Sequence, residues 1–245
     1  MTARRAALVL VLVVLGTTAQ LSASGSAGGP PTALVAEGAD LYAVACTSCH
    51  GADGEGVEGR GPSLAQAGAA SADFYLSSGR MPMDDPQGQT QRKPPAYAPE
   101  EIDALVAFVA TLGEGPAIPD TDPQDGDLPT GQQLYTANCA ACHNSAGSGG
   151  ALGQSIYAPA VTDATLLQVA EATRIGPGAM PAFGPGTLDD EEVASIQRYV
   201  GYLKDPRDPG GAPLGRLGPV PEGAVAWLVG VGSLLVVARW LGAHR

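Results

Sequence analysis

Apolar and polar positions fall into blocks of different period along this chain. Two blocks carry apolar residues at spacings of three and four, the mark of an amphipathic helix. The first spans Pro99 to Leu112, with Ile102, Leu105, Val106, Phe108 and Val109 apolar and Glu100 and Glu101 in the first turn, where the helix dipole favours acids. The second spans Leu188 to Leu203, with Val193, Ile196, Tyr199 and Val200 apolar behind Asp189, Asp190, Glu191 and Glu192. A weaker helix precedes each. One is predicted to begin near Gly38 and run to Cys46, with Leu41 and Val44 on one face; the other runs from Gly131 to Cys139, with Leu134 and Ala137 so placed. Each closing helix is expected to pack across the opening helix of its own half.

The two ends are apolar for longer. Arg4 and Arg5 are followed by an apolar run from Ala6 to Leu15 and then by small residues through Gly29. That order of charge, apolar run and small residues has the shape of a secretory signal, with cleavage near Ser22-Ala23-Ser24 or Thr17-Thr18-Ala19; the same run also suits an uncleaved N-terminal anchor. Residues 1–29 are read as one or the other. Near the C-terminus, Gly223 to Ala238 is uncharged and apolar, and Trp240 and Leu241 extend it to spanning length if Arg239 snorkels. A transmembrane helix is predicted over 222–242, with Trp227 and Trp240 as interfacial aromatics. Arg239 and Arg245 on the far side place the C-terminus in the cytoplasm and the bulk of the chain outside. His244 then sits across the membrane from the rest and receives no role in the site.

The two helical blocks are copies. Gly38, Leu41, Tyr42 and Cys46 recur as Gly131, Leu134, Tyr135 and Cys139, an offset of 93 residues. Each opening helix leads into a C-x-x-C-H stretch: Cys46-Thr-Ser-Cys49-His50 and Cys139-Ala-Ala-Cys142-His143. These stretches use all 4 cysteines and two of the 3 histidines. The motif is that of covalent c-type haem attachment. Two thiols become thioethers on the two vinyl groups of one porphyrin, and the adjacent imidazole ligates the iron. A zinc site would leave the matching histidines unexplained. A redox disulfide would sit in a βαβ setting that is absent here. A structural disulfide within C-x-x-C closes too small a loop to stabilise much.

A Gly-rich loop follows each motif, and then each copy offers one Met-Pro: Met81-Pro82 and Met180-Pro181. A thioether suits the sixth position of an electron-transfer haem. All 4 methionines except Met1 lie in these two loops. Met180 is the sixth-ligand candidate of the second copy. In the first the choice is Met81 or Met83, and Met81 matches the second copy's placement. The expected cofactors are two covalent haems c, on Cys46, Cys49, Cys139 and Cys142, with His50, Met81, His143 and Met180 as axial ligands. Filled axial positions favour electron transfer over peroxide or oxygen chemistry.

Composition adds three points. Gly 34 and Pro 21 exceed a fifth of the 245 residues, which indicates small loop-rich domains with linkers. Aromatics are only 5%, a deficit of bulk that haem can make up. The formal charge is −12, and Thr32 to Val220 holds 24 acids against 9 bases, so nucleic acid is not a partner. Glu114 to Thr130 carries five acids and four prolines and reads as an extended linker or interdomain strap.

Each half resembles a class I cytochrome c domain, and the whole layout resembles the dihaem cytochrome c subunit of actinobacterial cytochrome bcc complexes. The order of parts, the Gly79-Arg80-Met81-Pro82 loop and the C-terminal anchor carry the likeness. The fold implied is mainly α: cytochrome c domains at 32–113 and 131–204, linkers at 114–130 and 205–221, and one transmembrane helix. The resemblance implies cytochrome b and Rieske iron–sulfur subunits as partners. It also implies electron delivery to a haem-copper cytochrome c oxidase, and membership of a menaquinol-oxidising, proton-translocating quinol–cytochrome c reductase. The competing readings are a dihaem subunit of another oxidase or membrane dehydrogenase, a tethered electron shuttle, and a dihaem peroxidase.

Overall fold

The computed structural model describes residues 32–86, 88–153, 156–207 and 219–243. The N-terminal segment 1–29, most of the linker at 205–221 and His244 lie outside the described residues.

The first half is built from α1 (Thr32–Ala45), the short α2 (Thr47–His50), α3 (Gly68–Ser77) and α4 (Pro99–Val109). The second repeats the plan with α5 (Leu128–Asn138), α6 (Ala140–His143), α7 (Leu166–Ile175) and α8 (Asp190–Lys204). It adds a two-stranded antiparallel hairpin, β1 (Gly150–Gly153) and β2 (Ile156–Ala158), pairing Gly150 with Ala158 and Ala151 with Tyr157. Both opening helices start earlier than their apolar pattern: α1 is helical from Thr32 rather than Gly38, and α5 from Leu128 rather than Gly131. The reason at α5 is its cap. The Asp127 carboxylate accepts from the Thr130 backbone N–H at 2.9 Å, and Pro129 sits in the first turn, where its missing N–H is harmless.

The opening and closing helices cross as predicted. The repeated glycine is the point of contact, since a Cβ at Gly38 would lie 2.0 Å from the Ala104 oxygen and one at Gly131 would lie 2.0 Å from the Ser195 oxygen. Tyr42 then packs beside Phe108 with ring centroids 5.0 Å apart, and Tyr135 beside Tyr199 at 5.4 Å. The core of the first half gathers Tyr42, Leu76, Ile102, Leu105 and Val109; that of the second gathers Tyr135, Val169, Leu188, Ile196 and Val200.

The segment between the halves is a strap rather than a loose tether. At its start the Ala70 N–H donates to the Pro116 carbonyl at 3.0 Å. Further on, Thr121 Oγ1 donates to Gln197 Oε1 at 2.8 Å, and Arg198 donates to the carbonyls of Gln124 and Gly126. The Asp127 N–H donates to Ser195 Oγ at 2.9 Å.

A second junction joins α3 directly to α7. Gln168 Nε2 donates to Ser77 Oγ at 2.9 Å, and Arg92 donates to Gln168 Oε1 at 2.6 Å. The loop after Met81 reaches the hairpin: Gln89 Nε2 donates to the Tyr157 carbonyl at 2.7 Å and its Oε1 accepts from the Tyr157 N–H at 3.2 Å. Glu171 is fully buried in α7 and faces Asp73 of α3 across this seam.

At the C-terminal end α9 (Pro219–Val225) passes through a π-helical turn, Ala226–Val231, into α10 (Gly232–Ala243). The continuous stretch Val220–Ala243 has 24 residues and a mean hydropathy of 1.9, long and apolar enough to cross a membrane. Its large side chains face outward, Trp227 at 71% exposure and Leu228 at 78%.

Candidate haem-binding site

Both halves present C-x-x-C-H in one way. The opening helix reaches the first cysteine and the backbone bends there, with φ of −115° at Cys46 and −117° at Cys139. The short helix that follows brings the second cysteine and the histidine round to the same wall. A tyrosine of the opening helix fastens the loop beyond: the Tyr42 hydroxyl donates to the Gly51 carbonyl at 2.8 Å, and the Tyr135 hydroxyl to the Asn144 carbonyl at 2.8 Å. Burial pushes the Cys46 and Cys139 thiols up to about 11, so both are neutral thiols at neutral pH. All four cysteines are unpaired. Among the described residues no group of three or more His, Cys, Asp or Glu is gathered as a metal cluster.

The histidines are fixed by a contact that the motif does not announce. His50 Nδ1 lies 2.9 Å from the Pro62 carbonyl oxygen and His143 Nδ1 lies 2.9 Å from that of Pro159. A carbonyl only accepts, so Nδ1 carries the hydrogen and Nε2 keeps its lone pair for a metal. Pro62 follows His50 by 12 residues and Pro159 follows His143 by 16, so the signal in the sequence was a proline after each motif at unequal spacing.

The methionine loops are held just as firmly. In the first, the Met81 N–H donates to the Tyr75 carbonyl at 3.0 Å, and the Lys93 N–H to the Ser78 carbonyl at 3.2 Å. Gly79 has φ +66°, and a Cβ on it would lie 2.1 Å from the Lys93 oxygen. In the second, the Met180 N–H donates to the Pro177 carbonyl at 3.2 Å and the Phe183 N–H to the Thr173 carbonyl at 2.8 Å.

One cavity of about 1250 Å³ runs through both halves. Its wall holds Cys46, Cys49, His50, Met81 and Met83 from the first half and Cys139, Cys142, His143 and Met180 from the second. Every residue predicted for the site therefore converges on this space. Met83 reaches it too, and Met81 additionally packs on the first core. Leu64, Leu76, Leu105 and Val109, with Val161, Val169, Phe183 and Ile196, give the wall its apolar character. Pockets for one small ligand occupy roughly 300–1,000 Å³, so this space is large enough for a bulky apolar group. Paired thiols, an oriented imidazole and a thioether in an apolar crevice are the donor set of a c-type haem.

Comparison with known proteins agrees. Residues 35–113 match the family model described as cytochrome c, and residues 126–200 match cytochrome c oxidase, cbb3-type, subunit III. The cytochrome bc1 complex cytochrome c subunit of Corynebacterium diphtheriae is 40% identical over 229 residues, covering 86% of this chain and 82% of that one. The subunit of the same description from Mycobacterium tuberculosis is 39% identical over 221 residues, covering 87% and 79%. This chain belongs to that family. It is a two-domain cytochrome c of electron transfer, mainly helical, with a C-terminal helix able to anchor it. A more distant likeness is to the cbb3-type cytochrome c oxidase subunit CcoP of Azospirillum, 30% identical over 192 residues and covering 69% and 62%. Cytochrome c domains carry covalent haem c, and the two cysteine pairs of the family member fit that attachment.

Proposed function

We propose that this subunit carries two haems c and passes electrons from the Rieske protein of a menaquinol-oxidising, proton-translocating cytochrome bcc complex towards a haem-copper cytochrome c oxidase. The supporting observation is the single cavity lined by two complete donor sets, one from each half. In this reading Cys46 with Cys49, and Cys139 with Cys142, each hold one haem. His50 and Met81 would ligate the iron in the first half, and His143 and Met180 in the second. The haem would supply a one-electron couple. The chain's own residues do the rest: the Pro62 and Pro159 carbonyls hold the imidazoles in one tautomer, the methionine loops close the far side, and the apolar wall excludes water. The outward apolar face of Val220–Ala243 supports a membrane anchor, and Glu222 before the span with Arg239 after it favours the haem domains outside and the C-terminus in the cytoplasm.

The likeness of residues 126–200 to a cbb3-type subunit favours a second reading, a cytochrome c subunit of an oxidase. Gentle solubilisation of native membranes and affinity purification through a C-terminal tag distinguishes the two. The expected eluate contains a cytochrome b and a Rieske protein, oxidises quinol, and holds two haems c per chain. An oxidase without cytochrome b in the eluate would move the protein to the second reading.

The ligand assignment has its own test. Met81→Leu is expected to leave the first haem high-spin and reactive with carbon monoxide, whereas Met83→Leu keeps the low-spin spectrum. The reverse pattern would hand the position to Met83.

A further inference from the structure

Arg80 stands in the loop that presents Met81. Its side chain belongs to the cavity wall, it is only 7% exposed, and its Nη1 atom is buried with no hydrogen-bond partner. The guanidinium carbon lies 4.8 Å from the centre of the Phe74 ring, so one face is fixed by the aromatic and the free donor has a set direction. The described residues form ion pairs at Lys93–Asp84 and Arg174–Asp190, and Arg80 belongs to neither. A second cation, Arg92, also lines the cavity and acts on Arg80 as a like charge.

This arrangement is unfavourable as it stands. A buried guanidinium without a counter-charge loses its hydration, and the contact with Phe74 returns only part of that cost. A like charge beside it adds repulsion, and burial and Arg92 together press the Arg80 pKa down. Yet the chain carries 25 acidic side chains, so a carboxylate for this position was readily available in the sequence. Among the described residues no carboxylate pairs with Arg80, which leaves its free donor to an anion that enters the cavity from outside the chain. It must be planar enough for the fork of a guanidinium and must arrive with an otherwise apolar body that the wall accepts. A haem propionate meets both demands.

We propose that Arg80 donates through Nη1 to a propionate carboxylate of haem at the seam between the two halves, with Arg92 as a second cation against the same charge. The inference rests on the two-haem reading above. Arg92 is held for this by Gln168 of the second half, and the Tyr75 and Tyr157 hydroxyl-bearing rings act on Arg80 from the two sides of the seam. Arg80 is a positioning residue: it offsets the propionate charge and thereby stabilises the ferrous form of the haem that bears it.

The test is a redox titration of the full-length purified protein, followed by infrared difference spectra between its oxidised and reduced forms. Haem content of the unaltered protein comes first. A ratio below two haems per chain would overturn the two-haem reading. With two present, Arg80→Gln is expected to lower the ferrous-to-ferric ratio of one haem at a fixed applied potential by roughly three- to tenfold. The other haem should move less, and the identity of the shifted one shows whose propionate is held. Arg80→Lys, which keeps the charge, should restore most of the ratio while still shifting the propionate carboxylate bands. Arg92→Gln should move the same haem in the same direction by less, which keeps the test open if Arg80→Gln loses haem. Two unshifted haems with unshifted carboxylate bands in Arg80→Gln would overturn the inference.

Discussion

Replacing Gly131 with alanine is expected to unfold the second half at temperatures where the unaltered protein remains folded. A Cβ at this position would lie 2.0 Å from the Ser195 carbonyl oxygen and 2.6 Å from its carbon. Both belong to the backbone of α8 and cannot swing aside. Helices α5 and α8 must separate, and the Tyr135–Tyr199 packing at 5.4 Å separates with them. Alanine's better helix propensity returns at most about 1 kcal/mol. Overpacking costs typically ~1–3 kcal/mol and more against rigid backbone. At about 4–8 °C per kcal/mol for a domain of this size, the midpoint should fall by roughly 10 °C or more. Gly186→Ala, which meets nothing within 4 Å, is the matched control. Thermal unfolding of the haem-loaded protein decides: equal midpoints for the two variants would show that the helices can part at little cost.

Glu171→Gln is expected to act in the opposite direction and to remove a pH dependence. Glu171 is fully buried, and with both carboxyls ionised neither of its oxygens has a hydrogen-bond donor. Burial first, and then Asp73 as proton-sharing partner and like charge, push its carboxyl up to about 9. The folded protein thus keeps this proton through neutral pH, while the unfolded chain gives it up near 4.5. Between those values the unfolded state binds fewer protons. Stability therefore falls as pH rises from about 4.5 towards 9, by at most ~1.4 kcal/mol per unit, and is fully present only below the lower value. A glutamine keeps the shape, donates to the Asp73 carboxylate and has nothing to ionise. The variant should match the unaltered protein at pH 5 and exceed it increasingly up to pH 9. Parallel curves of midpoint against pH would mean that Glu171 is not the group responsible.

The parts of the fold that were legible in the sequence are those with one wet and one dry face. Helices α4 and α8 announced themselves through Ile102, Leu105 and Val109, and through Val193, Ile196 and Val200, all of them buried where the period placed them. The two C-x-x-C-H stretches stood out because that spacing recurs at Cys46 and Cys139 and takes in all 4 cysteines. Helices α3 and α7 were not legible. Each is covered on two sides, by its own core and by the other half, so the amphipathic contrast is lost. In α3 the buried positions Ala70, Ala72, Phe74 and Leu76 fall on every second residue, and in α7 the buried positions include polar Gln168, Glu171 and Thr173. Those polar groups find partners only across the seam or in local turns, information that no local pattern holds. Arg80 was visible as a letter of the Gly-Arg-Met-Pro loop, but its orphaned donor is a property of three dimensions alone.

The meeting of α3 with α7 carries a consequence about symmetry. The two helices hold equivalent places in the repeat, each has ten residues, and Asp73 and Glu171 are both the sixth residue of theirs. The seam thus joins one copy to the other through the same surface, as a twofold axis does in a dimer of identical subunits. On such an axis a side chain can only meet its own counterpart, so an acid meets an acid whatever the charge would prefer. The shared proton is the way this duplication lives with that rule. The later asymmetry, Gln89 on Tyr157 and Arg92 on Gln168, is what makes the two copies no longer interchangeable. One chain holds both partners of the pair, and neither half retains the bare face through which a lone copy would associate with itself.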